Sequence, residues 1–226
     1  MPIYSLNDQL SFPPVEGAVD GIVAVGGDLS SERLLLAYQN GIFPWYSDDE
    51  PILWWCPDPR FILLPEELHI SKSMHRVLRN PAYKVTMDTD FISVIQHCAT
   101  TKRKGEYGTW ITDDMIEAYC CLHEEGYAHS VEVWINEQLV GGLYGVSLGK
   151  CFFAESMFHK ADNASKIALI TLVQYLKQKG FLFLDAQVHT SHVATLGANN
   201  IPRTQFIELL KKGVHEETQV GKWHLS

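Results

Sequence analysis

The segment from Cys151 to Gly197, CFFAESMFHKADNASKIALITLVQYLKQKGFLFLDAQVHTSHVATLG, constrains the fold more than any other part of this chain. An apolar, strand-like run (Cys151-Phe152-Phe153-Ala154) leads into Glu155, and a second (Phe181-Leu182-Phe183-Leu184) leads into Asp185. Between them the pattern predicts one helix that begins at Asn163, sets Ile167, Ile170, Val173 and Leu176 on one face and ends at Gly180. A strand, a long apolar helix and a second strand in this order predict two strands lying side by side, each delivering a carboxylate to the same region. Taking a charge out of water costs several kcal/mol unless it is paired or bonded. Packing alone does not account for either acid, so the segment is a candidate site.

Upstream, Ser30 or Ser31 caps a helix that Leu34 to Tyr38 fill and Gly41 ends. Pro44, Pro51, Pro57 and Pro59 then break regular structure around Trp45, Trp54 and Trp55. This predicts a small amino-terminal domain over 1–59. Beyond it the pattern predicts a helix from Ser71 that stops before Pro81, a strand over Tyr83 to Met87, and a helix capped by Thr112 that runs to Gly126. Strands follow over Ser130 to Ile135, Leu139 to Ser147 and Cys151 to Met157, the first two joined by an Asn136-Glu137-Gln138 turn. A strand over Phe181 to Val188 comes after the long helix, then short helices from Ser191 to Gly197 and around Arg203 to Lys212. The order β-β-β-α-β-α predicts an α+β domain over 60–226 whose sheet is mostly antiparallel.

With 226 residues, 46% of them apolar, the chain can bury one substantial core. It has no apolar run near the roughly 20 residues needed to span a bilayer, and its first residues do not resemble a signal peptide, so a cytoplasmic protein with no membrane partner is expected. The five cysteines show no C-x-x-C spacing and the ten histidines no H-E-x-x-H pattern, so neither a disulfide framework nor a metal is expected. The formal charge of −9 is unevenly spread: the window His69 to Lys104 carries +5 and the remainder −14. A basic patch on an acidic body argues against a general nucleic-acid binder and for a local contact with an anion.

The strings GGDLS, GIFPW, ILWWCPDPR, GTWIT, HSVEVW, VGGLYGV, ESMF, NASK and LDAQV occur in this order from about Phe12 to Arg203. Taken together they resemble the leucyl/phenylalanyl-tRNA–protein transferase family of the bacterial N-end rule pathway. The resemblance implies a larger domain with a GNAT-like fold. It also implies a reaction in which leucine or phenylalanine passes from aminoacyl-tRNA to the α-amino group of a protein beginning with Arg or Lys. Aminolysis of an activated ester requires no cofactor; the work is positioning, a neutral amine and stabilisation of an oxyanion.

By the same resemblance a catalytic relay falls on Asp185 and Gln187, with Glu155 bonded close by. If Asp185 and Gln187 share one strand, two residues apart, their side chains share one face. Glu155 has a second reading, as the receptor for the acceptor protein's cationic Arg or Lys. The family's aminoacyl pocket maps to Leu143, Phe152, Ala154, Leu169 and Leu184. Its contacts with the 3′ adenosine map to Trp45 and Trp110, and its tRNA-binding cluster maps to Lys72, His75, Arg76 and Arg79, with Lys102 to Lys104 nearby. A monomer is the favoured state. Two rival readings remain. An acetyl-CoA-dependent N-acetyltransferase would need a glycine-rich turn where this chain has His159 to Ala164, and a non-catalytic RNA-binding adaptor would not need Asp185 and Gln187.

Overall fold

Two sheets share the chain, and it passes from one to the other between Trp55 and Arg60. The computed structural model describes residues 3–101 and 111–225. The first sheet contains β1 (Tyr4–Leu6), β2 (Ile22–Gly26), β3 (Phe43–Pro44) and β4 (Leu53–Trp55), in the order β1-β2-β4-β3. Between β2 and β3 lies α1 (Ser31–Gln39), and the Ser30 hydroxyl accepts from Arg33 N to cap it.

The second sheet begins with β5 (Arg60–Leu63). Then come α2 (Lys72–Leu78), β6 (Lys84–Met87), α3 (Phe91–Thr100) and α4 (Asp113–Glu124). The meander β7 (Ala128–Ile135), β8 (Gln138–Leu148) and β9 (Cys151–His159) leads to α5 (Ala164–Gln178) and β10 (Phe183–Asp185). The described chain closes with α6 (Ser191–Ala194), β11 (Asn199–Ile201), α7 (Arg203–Val214) and an irregular segment. The strand order is β11-β5-β10-β9-β8-β7-β6, and every neighbouring pair is antiparallel except β9 with β10. The α+β class and the mostly antiparallel sheet agree with the sequence reading. The one parallel pair is the pair that α5 connects, as parallel strands require a crossover.

Several local expectations need correction. The strand expected over Phe181 to Val188 is regular only over Phe183–Asp185. Gln187 lies beyond it, in the left-handed region at φ 64°, so Asp185 and Gln187 do not share a strand face. Helix α6 begins at Ser191 as expected, capped by Thr190, but ends at Ala194, and Asn163 precedes α5 in a left-handed conformation without a side-chain cap bond. Helix α3 was not anticipated. Ile92, Val94 and Ile95 are β-branched and favour strands, yet Phe91, Val94, Ile95 and Cys98 fall at helical spacing and are all buried.

One apolar cluster runs through both sheets and joins Leu34, Tyr38 and Trp54 to Tyr119, Phe153 and Phe183. A second, on the opposite face of the large sheet, packs α5 through Ile167, Leu169 and Val173 against Phe152 and Leu184. Among the described residues no helix is long and apolar enough to cross a membrane.

Candidate active site

A β-bulge positions Glu155. Along the β8–β9 pair Gly145 lies opposite Ala154 and Tyr144 opposite Ser156, so Glu155 is the extra residue on β9. The bulge inverts the side-chain phase of the strand. Before it Phe153 belongs to the cluster shared by both sheets and Phe152 to the α5 cluster; after it Phe158 belongs to the former and Met157 packs on the latter. Gly145 is required here, because a Cβ would collide with Phe153 O and the Phe152 ring.

Three donors meet the buried Glu155 carboxyl. Tyr38 Oη lies 2.8 Å from Oε1, Tyr119 Oη 3.1 Å from Oε2, and Gln187 Nε2 2.8 Å from Oε1. Burial is the main cause that pushes the Glu155 carboxyl up to about 7; the Asp185 charge acts in the same direction and the three donors oppose it. Burial also raises the Tyr38 and Tyr119 phenols well above their ordinary range, with Glu155 adding to the effect.

Asp185 has a different environment from the one expected. Its side chain is fully buried and bound by Arg60, with Nε at 2.9 Å from Oδ1 and Nη2 at 2.6 Å from Oδ2. The pairing follows from register: Ile62 lies opposite Asp185 on β5, which sets Arg60 diagonally across from the acid on the same face. The Phe43 and Phe206 rings enclose the guanidinium, 4.8 and 4.5 Å from its carbon. Asp185 also accepts from Gln187 N at 2.9 Å. It is therefore absent from the cavity wall, and of the expected relay residues only Gln187, with Glu155 beside it, lines the cavity. It fixes the loop that carries Gln187.

Beside Glu155 and Gln187 opens a cavity of about 640 Å³. Of the expected aminoacyl-pocket residues, Ala154, Leu169 and Leu184 line it, joined by Met157 and Val193. Leu143 and Phe152 do not. Both are buried in the α5 cluster, Phe152 near Trp223 and Leu143 opposite Met157, so they support the wall from behind.

Trp45 forms another part of the wall and is 41% exposed. Its ring centroid is 5.5 Å from that of Trp55, whose Nε1 donates to Trp45 O. Trp54 is fully buried and bonded to Gly26 O, which leaves Trp45 as the open face of this aromatic group. On α2, capped by Ser71, exposed Lys72, His75 and Arg76, with Arg79 at the helix's carboxyl-terminal cap, border a surface depression of about 430 Å³. Trp110 and Lys102 to Lys104 lie outside the described residues.

The sequence reading missed Arg60, Tyr38 and Tyr119 as members of the site. Each leaves a signal: a buried acid needs a cation, and a tyrosine on the apolar face of a helix needs a partner for its hydroxyl.

An apolar pouch beside a buried carboxyl and a fixed amide is suited to holding a substrate in one orientation, and the chain's relatives are transferases. Residues 62–211 match the model for leucyl/phenylalanyl-tRNA protein transferase, and residues 27–58 match the model for the N-terminal domain of the same enzyme. Relatives named leucyl/phenylalanyl-tRNA–protein transferase include one from Syntrophus aciditrophicus, 56% identical, covering 99% of this chain and 94% of its own. Another, from Myxococcus xanthus, is 52% identical and covers 99% of this chain and 97% of its own. The chain belongs to the leucyl/phenylalanyl-tRNA–protein transferase family. Among solved structures, a GCN5-related N-acetyltransferase from Kribbella flavida is similar at a TM-score of 0.39 and 7% identity, covering 74% of this chain and 59% of that one, a likeness too distant to carry an argument.

Proposed function

We propose that this cavity transfers leucine or phenylalanine from aminoacyl-tRNA to the α-amino group of proteins beginning with Arg or Lys. The observation that carries the reading is the Gln187–Glu155 contact at the edge of an apolar cavity that also holds an exposed Trp45. Ala154, Leu169 and Leu184, with Met157, enclose the transferred side chain. Leu143 and Phe152 back this wall.

The 3′ adenosine stacks on Trp45. Stacking of a base on an aromatic ring contributes about 1–3 kcal/mol. The cations of α2 (Lys72, Arg76 and Arg79, with His75 among them) meet tRNA phosphates. Gln187 Oε1, left free when Nε2 donates to Glu155, accepts a hydrogen bond from the incoming amine and aims its lone pair at the ester carbonyl. The amine nitrogen bonds to that carbon, the bond to the 3′ oxygen breaks, and the amine's proton leaves on that oxygen. Asp185 contributes as a positioning residue through Gln187 N.

The use of tRNA as a substrate implies a cytoplasmic site of action. The test supplies leucyl-tRNA and a peptide beginning with Arg, and looks for the Leu–Arg amide. No product with either leucyl- or phenylalanyl-tRNA would overturn the reading.

A further inference from the structure

Tyr38 Oη, Tyr119 Oη and the two Glu155 oxygens form a closed triangle of contacts: 2.8 Å from Tyr38 to Glu155, 3.1 Å from Tyr119 to Glu155 and 2.5 Å between the two tyrosines. Three hydrogen bonds require three protons. The tyrosines bring two. If both donate to an ionised Glu155, two hydroxyl oxygens face each other at bonding distance with no proton between them. If Glu155 itself is protonated, the circuit closes: Glu155 Oε2 donates to Tyr119, Tyr119 to Tyr38, and Tyr38 to Glu155 Oε1. Each polar atom then has a partner, as buried polar groups require.

We propose that Glu155 carries a proton in the resting site and closes a three-membered hydrogen-bond ring with Tyr38 and Tyr119, so that an uncharged carboxyl and Gln187, rather than an anion, meet the incoming amine. The surroundings agree. Tyr38 comes from α1 and Tyr119 from α4, with Tyr144 of β8 ring-to-ring against Tyr119. Towards β10 and β5, the negative charge of Asp185 is already matched by Arg60. The carboxyl's rise to about 7 and the raised phenols are in keeping with all three groups being protonated below neutrality.

The consequence for the reaction rests on the function proposed above. An anion within about 4–6 Å favours the charged form of an amine, and only the uncharged form attacks a carbonyl. A neutral Glu155 removes that handicap, and so makes it a poor receptor for a cationic Arg or Lys. Tyr38 and Tyr119 are thereby positioning residues that act through Glu155.

Protonation is read on the free protein by infrared difference spectroscopy or by ¹³C NMR of glutamate labelled at Cδ, comparing the wild type with Glu155→Gln between about pH 5 and 9. The expected result is a protonated-carboxyl signal, absent from the variant, that persists at about pH 6, where an ordinary glutamate is ionised. A carboxylate signal from Glu155 at about pH 6 would overturn the proposal, whatever the enzyme transfers. The second readout is the pH profile of single-turnover transfer. The wild type gives a bell that falls as Glu155 ionises, whereas Glu155→Gln, its amide standing in for the neutral acid, loses the descending limb. A variant that still shows that limb assigns it to another group and refutes the proposed role. Absence of transfer by the wild type, with the protonated signal present, counts against the proposed function and leaves the ring standing.

Discussion

Gln187 Nε2 lies 2.8 Å from Glu155 Oε1, while the backbone N–H of the same residue donates to Asp185 Oδ1 at 2.9 Å. One residue in a left-handed conformation thus links both acids, and its amide has a single orientation that satisfies Glu155. The two acids divide the work. Asp185, locked to Arg60, sets where Gln187 sits, and Glu155 sets which way its amide points.

Breaking the Arg60–Asp185 pair is predicted to cost stability before it costs chemistry. Asp185→Ala leaves a guanidinium buried without its carboxylate, a loss of about 3–5 kcal/mol measured by urea unfolding. Transfer falls with it, because Gln187 N loses its acceptor. Full stability in this variant would mean that the pair contributes nothing to the fold.

Folding stability is predicted to fall as Glu155 ionises. Its carboxyl is raised on folding from 4.5 to about 7, so its contribution is complete below the unfolded value and is lost as pH rises through the folded one. Glu155→Gln cannot ionise and should gain on the wild type across this window by roughly 3 kcal/mol. Urea midpoints of both proteins at a series of pH values measure the gain; a constant difference would contradict the shift.

Narrowing the cavity should change which amino acid is accepted. Leu169→Phe adds volume to the wall and is expected to disfavour phenylalanine relative to leucine by about 1–3 kcal/mol, or 10–200-fold in the ratio of kcat/KM. Leu143→Met, which alters a residue behind the wall, is expected to leave that ratio alone and to cost less than about 1.5 kcal/mol of stability.

Trp45→Ala should weaken binding of a non-hydrolysable aminoacyl-adenosine by about 1–3 kcal/mol. Calorimetry checks this, and unchanged affinity would leave Trp45 as packing against Trp55.

Cations on α2 should act uniformly on tRNA affinity. Removing Arg76 or Arg79 is expected to weaken tRNA binding and to reduce the slope of log affinity against log salt by about one for each phosphate no longer neutralised. An unaltered slope would place the tRNA elsewhere.

What was legible in the sequence was local chemistry. Ser30, Ser71 and Thr112 cap helices because their hydroxyls meet a backbone N–H three residues on. Asn136 and Glu137 take the positive φ values that a tight hairpin turn needs. Glu155 and Asp185 stood out because an acid after an apolar run is costly. Their partners did not, since each is created by distance in the fold: Arg60 is 125 residues from Asp185 and Tyr38 is 117 from Glu155. The bulge was hidden for another reason. Most residues from Cys151 to Phe158 are compatible with a buried strand, so nothing in the pattern marks the place where the alternation slips.

That slip makes Glu155 a residue the ladder itself does not need. Deleting it would restore a regular strand, with Ala154 still opposite Gly145 and Ser156 still opposite Tyr144. Phe158 would stay on the side of the cluster shared by the two sheets and Met157 on the α5 side, so the deletion removes a carboxyl and not a packing position. In a collection of variants screened for folding alone, a gap at Glu155 should survive; in one screened for transfer it should be missing.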